Sequence, residues 1–231
     1  LDVMNSFDCK TLVFSSSASI YGISNEKTIK EDYKIQPINT YGKTKATIEN
    51  ILNDVYNSSQ NWKIINLRYF NPIGAHPTGI IGENPKNIPN NLFPLMMKVG
   101  MGQIKELKIY GSDWPTIDGT CERDYIHVVD LAIGHVKALN LLFNEKPQIL
   151  NLNLGNGIGI SVLQLIKTFE KVNNIKIPYF ITDKRSGDVA KYIADNCLAK
   201  RLLNWLPQKN INDMCIDGWR WQLKNPNGFQ D

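Results

Sequence analysis

The sequence predicts an α/β fold built on a mostly parallel sheet. Short β-rich apolar runs alternate along the chain with stretches of helical periodicity, the pattern of strands joined by crossover helices. No apolar run approaches the ~20 residues that a membrane span needs. Hydrophobic residues make up 42% of the 231 and charged residues 21%, an ordinary globular balance.

The elements follow in order. Thr11 to Phe14 is a β-rich run, and the serine cluster after it is a loop. From Tyr41 to about Val55, Ala46, Ile48, Ile51, Leu52 and Val55 recur at helical spacing, with Asn39 or Thr40 as the cap. Lys63 to Phe70 is strand-like. Pro72 to Pro89 is a long Pro- and Gly-rich segment, a length that often carries function, and it marks the expected domain boundary. Leu92 to Val99 reads as helix and Leu107 to Tyr110 as strand. Asp130 is expected to cap a helix through about Phe143. Leu150, Leu152 and Leu154 alternate with asparagines as in a strand. Ser161 with Gln164 forms a capping-box pattern. Tyr179 to Ile181 is a candidate strand, and two short amphipathic helices follow Asn196 and Ile211.

The formal charge of +4 is spread without a basic run, which argues against nucleic acid and suits an anionic small molecule. Cys9, Cys121, Cys197 and Cys215 lie far apart, with neither metal-ligand spacing nor a disulfide framework. His76, His127 and His135 have no metal-site spacing and read as structural. Trp205, Trp219 and Trp221 read as packing residues. The chain opens on LDVMNSFDCK, without an initiator Met or a basic-then-apolar leader. That stretch resembles the tail of a helix running into a strand, so preceding sequence is expected, and the cytoplasm is the default compartment.

The sharpest chemical pattern is Tyr41-Gly-Lys-Thr-Lys45. Tyr41 and Lys45 are four apart and share a helix face. A phenol is a poor base at neutral pH, and a nearby ammonium favours its phenolate. Taken alone, the pair also describes two solvated side chains on a surface helix. Upstream, Ser15-Ser-Ser17 falls where a strand ends, the usual place for ligands in doubly wound sheets. A serine hydroxyl there can both donate and accept. Ser17, Tyr41 and Lys45 together suggest a proton relay.

The run Phe14-Ser-Ser-Ser-Ala-Ser-Ile-Tyr-Gly22, followed by Tyr41-Gly-Lys-Thr-Lys45, resembles the extended short-chain dehydrogenase/reductase superfamily. Leu67-Arg-Tyr-Phe-Asn-Pro-Ile-Gly-Ala-His76 resembles the UDP-glucose 4-epimerase family within it. So do Gly82-Glu-Asn-Pro85, Ile88-Pro-Asn-Asn-Leu92, Asp118 to Val128, Asn153-Leu-Gly-Asn-Gly157, Arg185-Ser-Gly-Asp188 and the Trp219-to-Phe229 tail. The resemblance implies the C-terminal part of a doubly wound, Rossmann-type parallel sheet domain plus a smaller mixed α/β substrate domain. Residues 1–72 would be the remainder of the NAD-binding domain, and 73–231 the UDP-sugar domain, with some segments returning to the first. The family's glycine-rich phosphate loop has no counterpart in this sequence, so the chain alone is expected to be inactive.

What the resemblance implies for residues is specific. NAD takes hydride from C4 of UDP-glucose or UDP-galactose. Tyr41 matches the base that removes the C4 hydroxyl proton. Lys45 matches the residue that lowers the tyrosine pKa and holds the nicotinamide ribose. Ser17 matches the bridge between sugar hydroxyl and tyrosine, and Phe70 a position beside the nicotinamide. Asn71 matches a diphosphate or sugar contact, and Asn91 and Leu92 a pair meeting the nucleotide. Lys108, Ile109 and Tyr110 match a strand at the uracil. Arg123 and Arg185 match diphosphate ligands, Asp188 a ribose acceptor, and Tyr192 a residue bordering the sugar's C2 substituent. A homodimer through the Tyr41–Lys45 helix is implied. The alternatives within the superfamily are an epimerase acting on UDP-glucuronate or UDP-N-acetyl sugars and a 4,6-dehydratase, which fits less well because no Asp-Glu pair follows Ser17. A different class, a non-catalytic UDP-sugar-binding or dimerisation module, uses the same binding residues without the relay.

Overall fold

The computed structural model describes every residue except Asn25, Ile88, Gln230 and Asp231. Ile88, quoted in a motif above, therefore lies outside the described residues. The chain runs α1 (Asp2–Ser6), β1 (Thr11–Ser17), α2 (Thr40–Ser58), β2 (Lys63–Tyr69), β3 (Asn71–Ile73), α3 (Leu92–Gly100), β4 (Leu107–Tyr110) and β5 (Glu122–His127). It continues α4 (Val128–Asn144), β6 (Gln148–Leu154), β7 (Gly159–Ser161), α5 (Val162–Asn173), β8 (Tyr179–Thr182), β9 (Lys191–Tyr192), α6 (Cys197–Leu203) and α7 (Ile211–Lys224).

Three parallel strands, in the order β1-β2-β6, form the first sheet. Helices cover both faces of this sheet. The period of two sorts the residues. Leu12, Phe14 and Ile64 meet Leu52 and Ile48 of α2 on one side. Ile65, Leu67, Leu152 and Leu154 meet Leu131, Ala138 and Leu142 of α4, with Leu203 and Trp205, on the other. Register places Ser17 opposite Tyr69, and Tyr69 opposite Leu154, at the carboxyl ends of the strands. β6 comes from well beyond residue 72, so the later chain contributes to this layer.

The second layer is a sheet of β3, β5 and β7 with β9 on β5, plus a parallel β4–β8 pair. Its core collects Phe93, Met96 and Met97 of α3, Leu165, Ile166 and Phe169 of α5, and Met214 and Trp219 of α7. Trp205, Trp219 and Trp221 are all buried.

Caps follow the sequence at two helices and depart at a third. Asn39 caps α2 by accepting from the Gly42 N–H at 2.7 Å, and Ser161 caps α5 by accepting from the Gln164 N–H at 3.0 Å. At α4 the cap is His127, not Asp130: its Nδ1 accepts from the Val129 N–H at 3.0 Å. β5 runs into α4 without a loop, which puts Asp130 inside the first turn. There its carboxylate accepts from the backbone N–H of Gln208 (3.0 Å) and Lys209 (2.8 Å).

A buried ion pair fastens α2 to the first sheet. Arg68 grips Glu49 with two hydrogen bonds, 2.7 and 3.0 Å, and both side chains are 2% exposed. Removing one member strands the other charge in the interior, which costs about 3–5 kcal/mol. Arg68→Ala and Glu49→Ala should each lose about that much in urea unfolding, and Arg68→Met with Glu49→Met together should lose less than either. A loss under about 1 kcal/mol for Arg68→Ala would show that the pair does not anchor the helix.

Candidate active site

The serine run ends β1 and turns immediately. Ser17 Oγ accepts from the Ser19 N–H and donates to Ser19 Oγ, both at 3.1 Å, and so caps the short 3-10 turn Ala18–Ile20. Gly42 explains how α2 comes so close. A Cβ there would sit 2.5 Å from the Ser19 carbonyl oxygen, so only glycine lets the first turn lie on the serine segment. Tyr41 therefore starts its helix beside Ser17, with its ring 54% exposed. One turn on, the Lys45 ammonium donates to the Ser15 carbonyl at 2.8 Å and lies 5.5 Å from the Tyr41 ring centroid.

A cleft of about 580 Å³ brings the two layers together. From the first layer and its exit, Ser17, Tyr41, Phe70 and Asn71 line it. From the second come Asn91, Leu92, Lys108, Ile109, Tyr110, Arg123, Arg185 and Asp188. Two residues named from the sequence lie elsewhere. Lys45 stands behind Tyr41, against β1. Tyr192 lines an adjoining hollow of about 190 Å³ that shares Phe70, Asn71, Arg123 and Asp188 with the cleft.

The charged side chains are held before any ligand arrives. Arg123 does not pair with the Glu122 or Asp124 carboxylates beside it. It donates to the carbonyls of Glu122 (2.9 Å) and Val189 (2.8 Å) and reaches Asp188 at 3.4 Å. Arg185 meets the same Asp188 oxygen at 3.1 Å and lies over the Tyr110 ring. Hydrogen bonding to Asp188 raises the already high Arg185 pKa further, so its charge is permanent.

Ser17 and Tyr41 thus line one cleft with two guanidiniums, and Lys45 stands one helical turn behind Tyr41. The description "NAD dependent epimerase/dehydratase family" matches residues 1–153. The chain belongs to that family. It is 47% identical over 229 residues to a UDP-glucose 4-epimerase of Bacillus subtilis (strain 168), covering 99% of this chain and 67% of the relative. A Dictyostelium discoideum UDP-glucose 4-epimerase is 47% identical, with 100% and 67% covered. Among solved structures, the Bifidobacterium longum UDP-glucose 4-epimerase in complex with NAD+ and UDP superposes with a TM-score of 0.92. It is 46% identical, with 99% of this chain and 68% of that one covered. The Stenotrophomonas maltophila enzyme with bound NAD and formylated UDP-arabinopyranose gives 0.94 at 42% identity, with 96% and 66% covered. The chain spans about two thirds of the length of the curated relatives it matches.

Several cleft residues carried no readable signal. Tyr69, Ser19, Glu83 and Cys121 also line it. The Tyr69 hydroxyl bonds His135 Nε2; because His135 Nδ1 lies 2.8 Å from the Leu131 carbonyl and must donate to it, Nε2 accepts from the phenol. Desolvation raises the Tyr69 pKa, which keeps that hydroxyl a donor. No helix among the described residues is long and apolar enough to cross a membrane. The three histidines lie apart, and His127 and His135 are spent on hydrogen bonds within the fold.

His127 is fully buried, with Asp217 Oδ2 at 3.3 Å from Nε2 and the Lys209 ammonium 3.2 Å from the same oxygen. Since Nδ1 accepts from Val129, the neutral ring carries its proton on Nε2. Burial first, then Lys209, holds its pKa below the usual histidine range. The unfolded chain thus binds a proton more readily than the folded one. The stability His127 contributes is whole above about pH 6.5 and is lost as pH falls through that value towards the depressed folded pKa. His127→Asn keeps a capping acceptor but cannot titrate. Denaturant unfolding at pH 7 and pH 5 should show a smaller stability loss for the variant than for the parent. Equal losses would mean that His127 is not the group responsible.

Proposed function

We propose that this chain is the catalytic and substrate-binding part of a cytoplasmic, NAD-dependent UDP-glucose 4-epimerase that interconverts UDP-glucose and UDP-galactose. The supporting observation is that Ser17 and Tyr41 share one cleft with Arg123 and Arg185. A non-catalytic UDP-sugar module has use for the arginines but none for the relay.

The residues divide the work. Arg123 and Arg185 offer planar, bidentate donors to a diphosphate. Asp188 accepts from a ribose hydroxyl, and Lys108, Ile109 and Tyr110 meet the uracil. Asn91, Leu92 and Asn71 bound the remainder of the nucleotide sugar. With the sugar so placed, Ser17 bridges its C4 hydroxyl to Tyr41, and Tyr41 takes the hydroxyl proton as C4 is oxidised. The 4-keto sugar, still tethered by its diphosphate, can present either face, and Tyr41 returns the proton. Lys45 holds positive charge beside Tyr41 throughout.

NAD, when bound, supplies a nicotinamide that accepts the C4 hydride and gives it back. Residues here suit its nicotinamide end: Lys45, Tyr41 and Phe70 stand at the carboxyl ends of β1 and β2, where doubly wound sheets hold such ligands. The 231 residues contain no glycine-rich loop to cradle its pyrophosphate, so catalysis by the chain alone is not expected. A homodimer through α2, which leaves Ile51 46% exposed, belongs to the same reading.

Fusing the chain to the amino-terminal segment of the Bacillus subtilis relative supplies the missing cradle and gives a direct test. The fusion should interconvert UDP-glucose and UDP-galactose. Tyr41→Phe should cut turnover on the order of 100-fold or more while leaving UDP-galactose affinity nearly intact. Turnover within a few-fold of the parent would remove Tyr41 from the role of base.

Tyr192 sets substrate size in this reading. Its ring lines the hollow beside Phe70 and would crowd an acetamido group on the sugar, and steric exclusion can discriminate more strongly than attraction. Tyr192→Ser in the fusion should shift the efficiency ratio strongly from UDP-galactose towards UDP-N-acetylgalactosamine. An unchanged ratio, or a parent that already prefers the acetylated sugar, would refute the gate.

A further inference from the structure

The Tyr192 hydroxyl does something its ring does not. It donates to the Ala18 carbonyl at 2.7 Å. That carbonyl also accepts from the Tyr21 N–H at 3.0 Å, so both of its lone pairs are engaged. Ala18 directly follows Ser17 and opens the turn that Ser17 caps. Tyr192 itself sits in β9, in register with Arg123 of β5, and its ring lies 5.6 Å from that of Phe70. Four residues earlier, Asp188 ties Arg123 to Arg185. One hydroxyl thus connects β9, the strand paired beside Arg123, to the turn that follows Ser17.

Granting the nucleotide-sugar reading above, we infer that the Tyr192 hydroxyl is a positioning group that fixes the distance between the diphosphate clamp and Ser17. A UDP-sugar spans both. Its diphosphate end is located by β5 and the 185–188 segment, and its sugar end by the Ser17 turn. The other hydrogen bonds from this segment to the strand leaving β9 lie further along the chain, where Ile29 pairs with Ile193 and Asp195 at 2.8 Å each. Burial raises the pKa of the phenol, which favours its protonated, donating form.

Tyr192→Phe removes the hydroxyl strut and keeps the ring, so it separates positioning from size exclusion. Two measurements on the chain as it stands read it. Hydrogen exchange should speed up on the order of three-fold or more at the Ser19 and Tyr21 amides, which the turn protects, and not at the β2 amides. Calorimetry should show UDP binding unchanged but UDP-galactose weakened, so that the affinity added by the sugar shrinks by a similar factor. A variant whose exchange and sugar increment both match the parent overturns the inference. So does equal weakening of UDP and UDP-galactose, which marks a general loss of structure. Failure of the parent chain to bind UDP at all sinks the nucleotide-sugar reading instead, and the exchange measurement still decides whether the strut exists.

Discussion

The site depends on one buried contact, the bidentate pair between Arg68 of β2 and Glu49 of α2. Glu49 also accepts from the Ser16 hydroxyl at 2.5 Å, so the helix is fastened to two adjacent strands at once. Arg68 extends the network by donating to the Tyr21 hydroxyl at 3.0 Å and the Glu31 carbonyl at 2.8 Å. Tyr21 passes its own proton to Asn153 of β6 at 2.7 Å, and burial drives its pKa up to about 12. The result fixes α2 in height and rotation against all three strands of the first sheet. Tyr41 lies eight residues before Glu49 on the same helix, so its position is set by that anchor. Lysine could not replace Arg68, because a point charge cannot serve a carboxylate, a phenol and a carbonyl in one plane.

Elements with a continuous apolar face were legible in the sequence. α2, α3, β2 and β6 show their period because water would otherwise meet one side of each. The short strands β3, β5, β7 and β9 were not, and β5 shows why. Glu-Arg-Asp-Tyr-Ile-His shows no apolar alternation, yet Asp124, Tyr125, Ile126 and His127 are almost wholly buried. Hydropathy cannot report burial that is maintained by hydrogen bonds. The site showed the same division. Ser17 and Tyr41, expected from a strand end and a helix start, both line the cleft, with Lys45 one turn behind Tyr41. Tyr69 and Cys121 reach the cleft only through register and packing, which leave no local mark. The capping of α4 was misread because Asp is the commoner cap, and nothing local announces that a strand will feed straight into a helix.

β5 assigns successive side chains to different tasks. Arg123 turns into the cleft. Asp124 turns the other way and accepts from the backbone N–H groups of Asn156 (2.7 Å), Gly157 (2.9 Å) and Ala194 (3.0 Å). Desolvation raises its pKa to about 6, and the three amides pull against that rise. The carboxylate thereby draws the loop after β6 and the strand leaving β9 onto the same spot. Gly155 makes the approach possible, since a Cβ there would lie 2.6 Å from the Asp124 oxygen. The Asn153-to-Gly157 run is thus a structural motif: Asn153 serves the Arg68 network and the glycines serve Asp124.

Arg123 and Arg185 carry like charges in one cleft and repel each other, and the exposed Arg185 side chain has rotamers to spare. Asp188 sits between them with a single oxygen 3.1 and 3.4 Å from the two. It offsets their repulsion and limits Arg185's rotamers, so less freedom remains to be lost on binding. The same carboxylate leaves the pair with one net positive charge. The arrangement rests on the spacing Arg185-Ser-Gly-Asp188, in which Gly187 takes φ +85° and the carboxylate returns to its own arginine.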